Sequence, residues 1–208
     1  MTLGFSSSAQ IRRKVAREAA TLLYSGVEKE YKQAKLRAAE TLGVHFLPTN
    51  LEVAMELDKI AEENEGSARQ KRLIQMRLEA LKLMKILEKY NPILVGSVWR
   101  GTIYRDSDID ITLYHNDPKD ILKLLKWEKL KIMEKEWVTI TKEGRMEKSF
   151  RILLELPTKE RAEITVRSME EYGAKERCEI YRDIISGLNL RELEEVLLKN
   201  PTQRFVPF

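Results

Sequence analysis

The sequence predicts an α+β fold: an all-helical N-terminal region, then a small mixed β-sheet flanked by helices. Three observations predict it. Apolar residues recur at three- and four-residue steps through the first 90 positions, as on the buried stripe of a helix. After Asn91-Pro92 the pattern switches to short β-branched runs and period-two alternation. Helical patterns then return between and after these runs. The 208 residues suit one compact domain with an extension, or two small domains. The expected units are 1–90 (helical region), 91–170 (sheet-bearing unit) and 171–208 (helices packing on it).

Residues 9–42 read as a long helix. Ser8 can cap it, no proline interrupts it, and Gly43 stands where a glycine would stop it. Val15, Ala19, Leu22, Leu23, Val27, Tyr31, Ala34 and Ala38 form its stripe, and Gly26 can kink it or split it in two. Thr49 or Asn50 caps a second helix with Val53, Leu57, Ile60 and Ala61 on one face. Glu65-Gly66-Ser67 ends that helix and opens a third, about 67–89, carrying Leu73, Met76, Ala80, Leu81, Met84 and Leu87. Ile93-Leu94-Val95 reads as a short buried strand, and 109–114 as a second strand by alternation. Asn116-Asp117-Pro118 starts a helix reaching about Lys135, with Pro118 at its first position. Trp137–Thr141, Phe150–Leu156 and Ala162–Val166 read as three further strands. Their turns are Lys142-Glu143-Gly144-Arg145 and Pro157-Thr158-Lys159. Ser168 opens a helical C-terminal stretch whose last helix, Leu190–Lys199, is capped by Asn189.

Composition narrows the function classes. Hydrophobic residues at 43% supply a core, and one cysteine excludes a disulfide framework and a cysteine-based metal site. His45 and His115 are isolated and make no zinc constellation. Lys and Glu abound while Asn and Gln number six and five, a bias seen in thermophilic proteins and also produced by long helices. The formal charge is +4; residues 1–90 carry 16 Lys/Arg against 12 Asp/Glu and residues 91–208 carry 21 of each, so the excess is N-terminal. Arg12, Arg13, Lys14 and Arg17 cluster on one helical stretch, which suits a polyanion or equally a solvated face. Met1 to Ser8 hold no apolar leader core and no run of 18 apolar residues occurs, so a cytoplasmic protein with no membrane association is expected.

The chemistry concentrates in one stretch. Gly96-Ser97 follows a strand, and ten residues later Asp108-Ile109-Asp110 opens another. With typical residue usage, those four positions recur by chance about once in 10⁵ starts, on the order of 0.2% over a chain of this length. Coincidence is therefore a weak account. On a strand, residues two apart share a face, so Asp108 and Asp110 can share a metal pair. Asp106 has the same parity but precedes the alternating run. Gly96 lets backbone amides approach a phosphate chain, and the Ser97 hydroxyl can donate to it. Exposed acids near a turn are the plain alternative.

This Gly-Ser, ten residues, Asp-x-Asp pattern resembles the signature of the DNA polymerase beta-like nucleotidyltransferase superfamily. Gly101 falls where many members have a further glycine. Within the superfamily the stretch is similar to archaeal CCA-adding enzymes and to minimal nucleotidyltransferases, although the chain is far shorter than the former. The resemblance implies NTP as substrate, Mg²⁺ (with Mn²⁺ as the alternative) held by Asp108 and Asp110, and a third carboxylate on a later strand. Glu163 is the choice for that acid, as metal ligand and base or orienter of the base; Glu155 is the rival, and aspartate is more usual there. Arg100 and Arg105 flank the loop and either clamp phosphate oxygens or remain solvated. Lys148 and Arg151 are weaker candidates, and Trp99 and Tyr104 either stack on a base or pack under the loop. Transfer of a nucleotide to a hydroxyl acceptor, with RNA the favoured acceptor, is the expected activity. The alternatives are an antitoxin-like enzyme that modifies a partner protein, and a non-catalytic nucleic-acid-binding module. The helical arm is a candidate homodimer contact.

Overall fold

A computed structural model describes residues 3–142 and 145–207. Helix α1 spans Leu3–Tyr24 and α2 spans Tyr31–Thr41, so the predicted long helix is split at Gly26, whose φ of 74° lies in the left-handed region. Helix α1 already begins at Leu3, ahead of the cap expected at Ser8, because a serine run lowers helix propensity without ending a helix. Helix α3, Asn50–Ile86, is opened by a capping box in which Thr49 accepts from the Glu52 amide and the Glu52 carboxylate accepts from the Thr49 amide. Gly66 (φ 51°, ψ −130°) breaks its helical geometry at the predicted boundary, yet the second half resumes directly.

Beyond α3 come β1 (Ile93–Val95), the short helix α4 (Gly96–Arg100), β2 (Ile109–Tyr114), α5 (Pro118–Trp127), β3 (Lys131–Lys142), β4 (Arg145–Glu155), β5 (Arg161–Arg167) and α6 (Leu190–Lys199). Among the described residues the strands form one five-stranded sheet in the order β1-β2-β5-β4-β3. The β2–β5 pair is parallel and the other neighbours are antiparallel. Helix α5 ends at Trp127 rather than near Lys135. Lys129 takes a left-handed φ of 55°, and the backbone then enters β3, whose alternating Lys and Glu fit a helix surface equally well. Strands β3 and β4 pair as far as Lys142↔Arg145, beyond where β5 covers β4, so their distal half is a two-stranded ribbon. Of the predicted hairpin turn, Glu143 and Gly144 lie outside the described residues. The C-terminal stretch after Ser168 is a 3₁₀ turn at Met169–Glu171 followed by irregular chain, not continuous helix, until α6, which Asn189 caps as expected. Gly173, Arg182 and Gly187, all at positive φ, interrupt any helix there.

Two hydrophobic clusters organise the chain, and α3 contributes to both. Val15, Ala19, Leu23, Ala34, Ala38, Val53 and Leu57 join α1, α2 and the first half of α3. Leu73, Met76, Leu83 and Met84 from its second half pack on the sheet's inner face, against Ile109, Ile111, Leu113, Ile152 and Ile164. Strand β2 therefore buries its odd-numbered residues and leaves Asp110 and Thr112 half-buried on the other face. No helix of the described residues is long and apolar enough to cross a membrane.

The three arginines of the α1 basic cluster are paired within the protein, while Lys14 is exposed. Arg12 makes two bonds to Glu52 (2.6 and 2.9 Å), Arg13 reaches Glu56 at 3.1 Å, and Arg17 bonds Glu63 at 2.6 Å and Glu56 at 3.4 Å. These pairs clamp α1 onto α3, an arrangement that neither a polyanion site nor a solvated face anticipates.

Candidate active site

Strand register brings the acids together. Asp110 pairs in register with Val95 of β1 on one side and with Glu163 of β5 on the other. Parallel neighbours in register point to the same face, so the Asp110 and Glu163 carboxylates stand side by side. Asp108 sits two residues earlier, just before β2 begins. Glu155, the rival third acid, lies opposite Arg161 near the end of β4, where Lys131 (3.0 Å) and Lys159 (3.1 Å) hold its carboxylate. Asp106 is exposed in the bend before the strand.

Gly96 sits at a φ of 71°, and its missing side chain makes room for Asp110. A Cβ there would stand 2.8 Å from Asp110 Cγ and would overlap its carboxylate. The glycine is thus required twice, by backbone conformation and by the acid packed against it. Ser97 follows in the first turn of α4, and its carbonyl accepts from the Thr102 amide at 3.0 Å, curling the loop back.

The electrostatics are those of a site short of positive charge. Burial, then the neighbouring charges of Glu163 and Asp108, pushes the Asp110 carboxyl up to about 7. Burial also raises Asp108 and Glu163, against the opposing pull of Arg161 and Arg151 respectively. Arg161 Nε donates to Asp108 at 2.8 Å, and Arg151 Nε stands 3.1 Å from Glu163. Each outer acid therefore has its own half-exposed arginine, while no ion pair among the described residues reaches Asp110. Among the described residues no three acid, histidine or cysteine side chains are gathered around a single point as a ready-made cage.

The stretch from Val98 in α4 through the following loop to Ser107 is held from behind by arginines of α3, which the sequence shows only as basic neighbours of an apolar stripe. Arg77 is fully buried and donates to the carbonyls of Val98, Trp99, Pro201 and Gln203. Arg69 donates to the Ile103 carbonyl at 2.7 Å. Arg72 donates to the Tyr104, Arg105 and Ser107 carbonyls and makes a two-bond pair with Glu160. Arg100 is 3% exposed, bonded to Asp183 (3.0 and 2.7 Å) and the Phe205 carbonyl, and flanked by the Trp99 and Tyr181 rings. Its charge thereby fixes the C-terminal segment. Arg105 is exposed, lies over the Tyr24 ring and stands 3.7 Å from Asp106. Trp99 is buried beneath the loop, and Lys148 lies over Trp137 on the ribbon, on the face away from the acids. The arginines that touch the acids, Arg151 and Arg161, differ in legibility. Arg151 is a weak candidate from sequence, and Arg161 carries no signal beyond its parity with Glu163.

The family comparison agrees with this geometry. Residues 73–168 match the model of the nucleotidyltransferase domain family. Among solved structures, a cytoplasmic RNA terminal U-transferase is 18% identical over 56% of this chain and 34% of its own, with a TM-score of 0.30. The GLD-2/RNP-8 complex gives 16% identity over 59% and 44%, with a TM-score of 0.35. Cid1 in complex with the UTP analog UMPNPP gives 16% over 54% and 36%, with a TM-score of 0.34. The chain spans less than half the length of each of these three. A search of curated proteins finds no match. The matched segment, just under half of the chain, runs from the second half of α3 through the Gly96-Ser97 turn and both acid-bearing strands, and it is similar to a nucleotidyltransferase domain.

Proposed function

We propose that this domain is an active, divalent-metal-dependent enzyme that moves a nucleotidyl group from an NTP to a hydroxyl, with RNA as the acceptor. The observation that carries the proposal is the in-register Asp110–Glu163 pair beside Gly96, with Asp108 two residues away. Three carboxylates raised by burial, Asp110 and Glu163 also by their acidic neighbours, fit a divalent cation, because the cation supplies the charge the site lacks. Asp108, Asp110 and Glu163 would hold Mg²⁺ or Mn²⁺, which would neutralise phosphate charge and polarise the reacting oxygens.

The protein's own part is positioning and proton handling. The acceptor hydroxyl oxygen forms a bond to the α-phosphorus while the bond from that phosphorus to the α,β-bridging oxygen breaks, and pyrophosphate leaves. The hydroxyl proton passes to the Glu163 carboxylate, directly or through water. Gly96 and Ser97 receive the phosphate chain through backbone amide and hydroxyl. Arg151 and Arg161, at the edge of the acids, turn to the phosphate oxygens once the carboxylates are otherwise engaged.

RNA as acceptor rests on the overall basic charge and on these two arginines, since the α1 arginines are occupied by α3 acids. The test is incubation with each α-labelled NTP, Mg²⁺ and total RNA, beside an Asp108→Asn/Asp110→Asn control. Label in RNA only with the intact aspartates supports the proposal. Label in a protein band instead would replace RNA with a partner protein, and label nowhere would remove the catalytic reading.

A further inference from the structure

A groove of about 630 Å³ runs beside the helical arm, and no part of the chemistry above uses it. One wall is the α1–α2 joint and the start of α2, with Lys29, Glu30, Lys32 and Lys35. The other is the irregular C-terminal segment, with Glu176, Arg177 and Glu179. Tyr31, Cys178 and Ile185 also line a smaller space of about 250 Å³ that reaches Gly96, Ser97 and Thr112. Thr112 stands two residues beyond Asp110 on the same face of β2, so the groove leads towards the acids. Its walls lie outside residues 73–168, the stretch similar to a nucleotidyltransferase domain, so nothing about the groove follows from that similarity.

We infer that this groove holds the acceptor RNA as a single strand, its phosphates on the lysines of the arm and on Arg177. The inference rests on the nucleotidyltransferase reading and adds the route by which the acceptor arrives. Charge carries it. Lys29, Lys32, Lys35 and Arg177 make no ion pair among the described residues: Lys29 and Lys32 are exposed, Lys35 donates to the neutral Asn50 side chain at 2.7 Å, and Arg177 donates to the Arg182 carbonyl at 3.0 Å. Of the acids between them, Glu176 is bound by Arg167 at 2.7 Å, which leaves Glu30 and Glu179 to face four cations. The contrast is with α1, whose clustered arginines are all paired with acids of α3. Cations on opposite walls of one groove repel each other, and a phosphate backbone laid between them removes that repulsion and releases its own counterions. A positively charged groove that tracks the backbone is how single strands are bound without sequence preference. Space selects one strand over two: the inner cleft of about 250 Å³ falls below the roughly 300–1,000 Å³ of drug-sized ligand sites, so a strand end can enter and a base pair cannot.

The probe is a fluorescein-labelled oligouridylate of about twelve nucleotides, within the span of single-strand sites. Its anisotropy with the full-length protein is followed in EDTA from about 0.05 to about 0.5 M KCl, so binding is read without turnover. Each phosphate contact adds about 0.7 to the slope of log affinity against log salt. Lys29→Ala/Lys32→Ala should therefore make that slope shallower by about 1.4, and weaken binding about 25-fold at about 0.1 M KCl relative to a 1 M reference. Lys126→Ala/Lys129→Ala removes the same charge from exposed sites at the end of α5, which packs on the inner face of the sheet, and should leave both quantities unchanged. Equal weakening by the two pairs, an unchanged slope in Lys29→Ala/Lys32→Ala, or a wild type that binds no oligomer overturns the groove. Polyglutamate of equal charge that displaces the RNA as well as unlabelled oligouridylate does overturns the choice of RNA and puts an acidic protein segment there. None of these results touches the nucleotidyltransferase reading, which falls only if α-label from NTP is transferred nowhere.

Discussion

Replacing Asp110 by asparagine should stabilise the metal-free protein at alkaline pH. The Asp110 carboxyl is raised from 3.8 to about 7 by burial and by Glu163 and Asp108. A carboxyl raised on folding contributes stability that is fully present below its unfolded pKa and lost as pH rises through its folded pKa. The wild type should therefore weaken between pH 5 and pH 8, as the buried acid is forced to ionise. The Asp110→Asn variant lacks this dependence, because the amide carries no charge at either pH. Two pH units below a folded value of about 7 correspond to about 2.7 kcal/mol at 1.36 kcal/mol per unit, and sharing of protons among the three acids reduces this to roughly 1–3 kcal/mol. Urea denaturation of both proteins in EDTA at pH 5 and pH 8 measures it. The asparagine variant should gain on the wild type by that amount at pH 8 relative to pH 5. Saturating Mg²⁺ should reverse the order at pH 8, since the wild type alone keeps the full ligand set. Equal pH dependence in the two proteins would refute the charge deficit assigned to this site.

Three further substitutions probe the surrounding architecture. Arg161→Ala frees Asp108 from its 2.8 Å partner; with an exposed pair worth about 0.5–1 kcal/mol, Mn²⁺ affinity measured by electron paramagnetic resonance should tighten about two- to five-fold. Unchanged or weaker affinity would show that the arginine does not compete with the cation. Gly96→Ala places a Cβ against the Asp110 carboxylate at positive φ and should cost at least about 2 kcal/mol in chemical denaturation, with transfer activity lost. Arg77→Leu leaves four carbonyls without their donor and should cost about 2–4 kcal/mol; a neutral result would show that water replaces it.

The acid-bearing strand pair is legible because its signals are local. Ile109, Ile111 and Leu113 alternate with Asp110, Thr112 and Tyr114, and Gly96-Ser97 follows a three-residue apolar run, so parity alone sets which acids share a face. Choosing between Glu163 and Glu155 needs the strand order, which pairs β5 rather than β4 with β2 and so puts Glu163 beside Asp110. The roles of Arg69, Arg72 and Arg77 are illegible for the same kind of reason. Most of their acceptors are backbone carbonyls, 11 to 126 residues away, and no side-chain pattern encodes a carbonyl. The stretch 131–135 reads as helix because alternating charges fit either period until the left-handed Lys129 turns the chain. The α1 arginines mislead in the opposite sense: clustered positive charge looks available until the acids of α3 are seen to occupy it.

The central claim is that Asp108, Asp110 and Glu163 together drive transfer of the α-phosphoryl nucleotide. The most direct measurement compares α-labelled and γ-labelled NTP in parallel reactions with Mg²⁺ and RNA, for the wild type and for Glu163→Gln. The account predicts α-label in the RNA, γ-label released as pyrophosphate, and loss of both in the variant although NTP still binds. Transfer of γ-label to the acceptor, or undiminished α-transfer by Glu163→Gln, would contradict it.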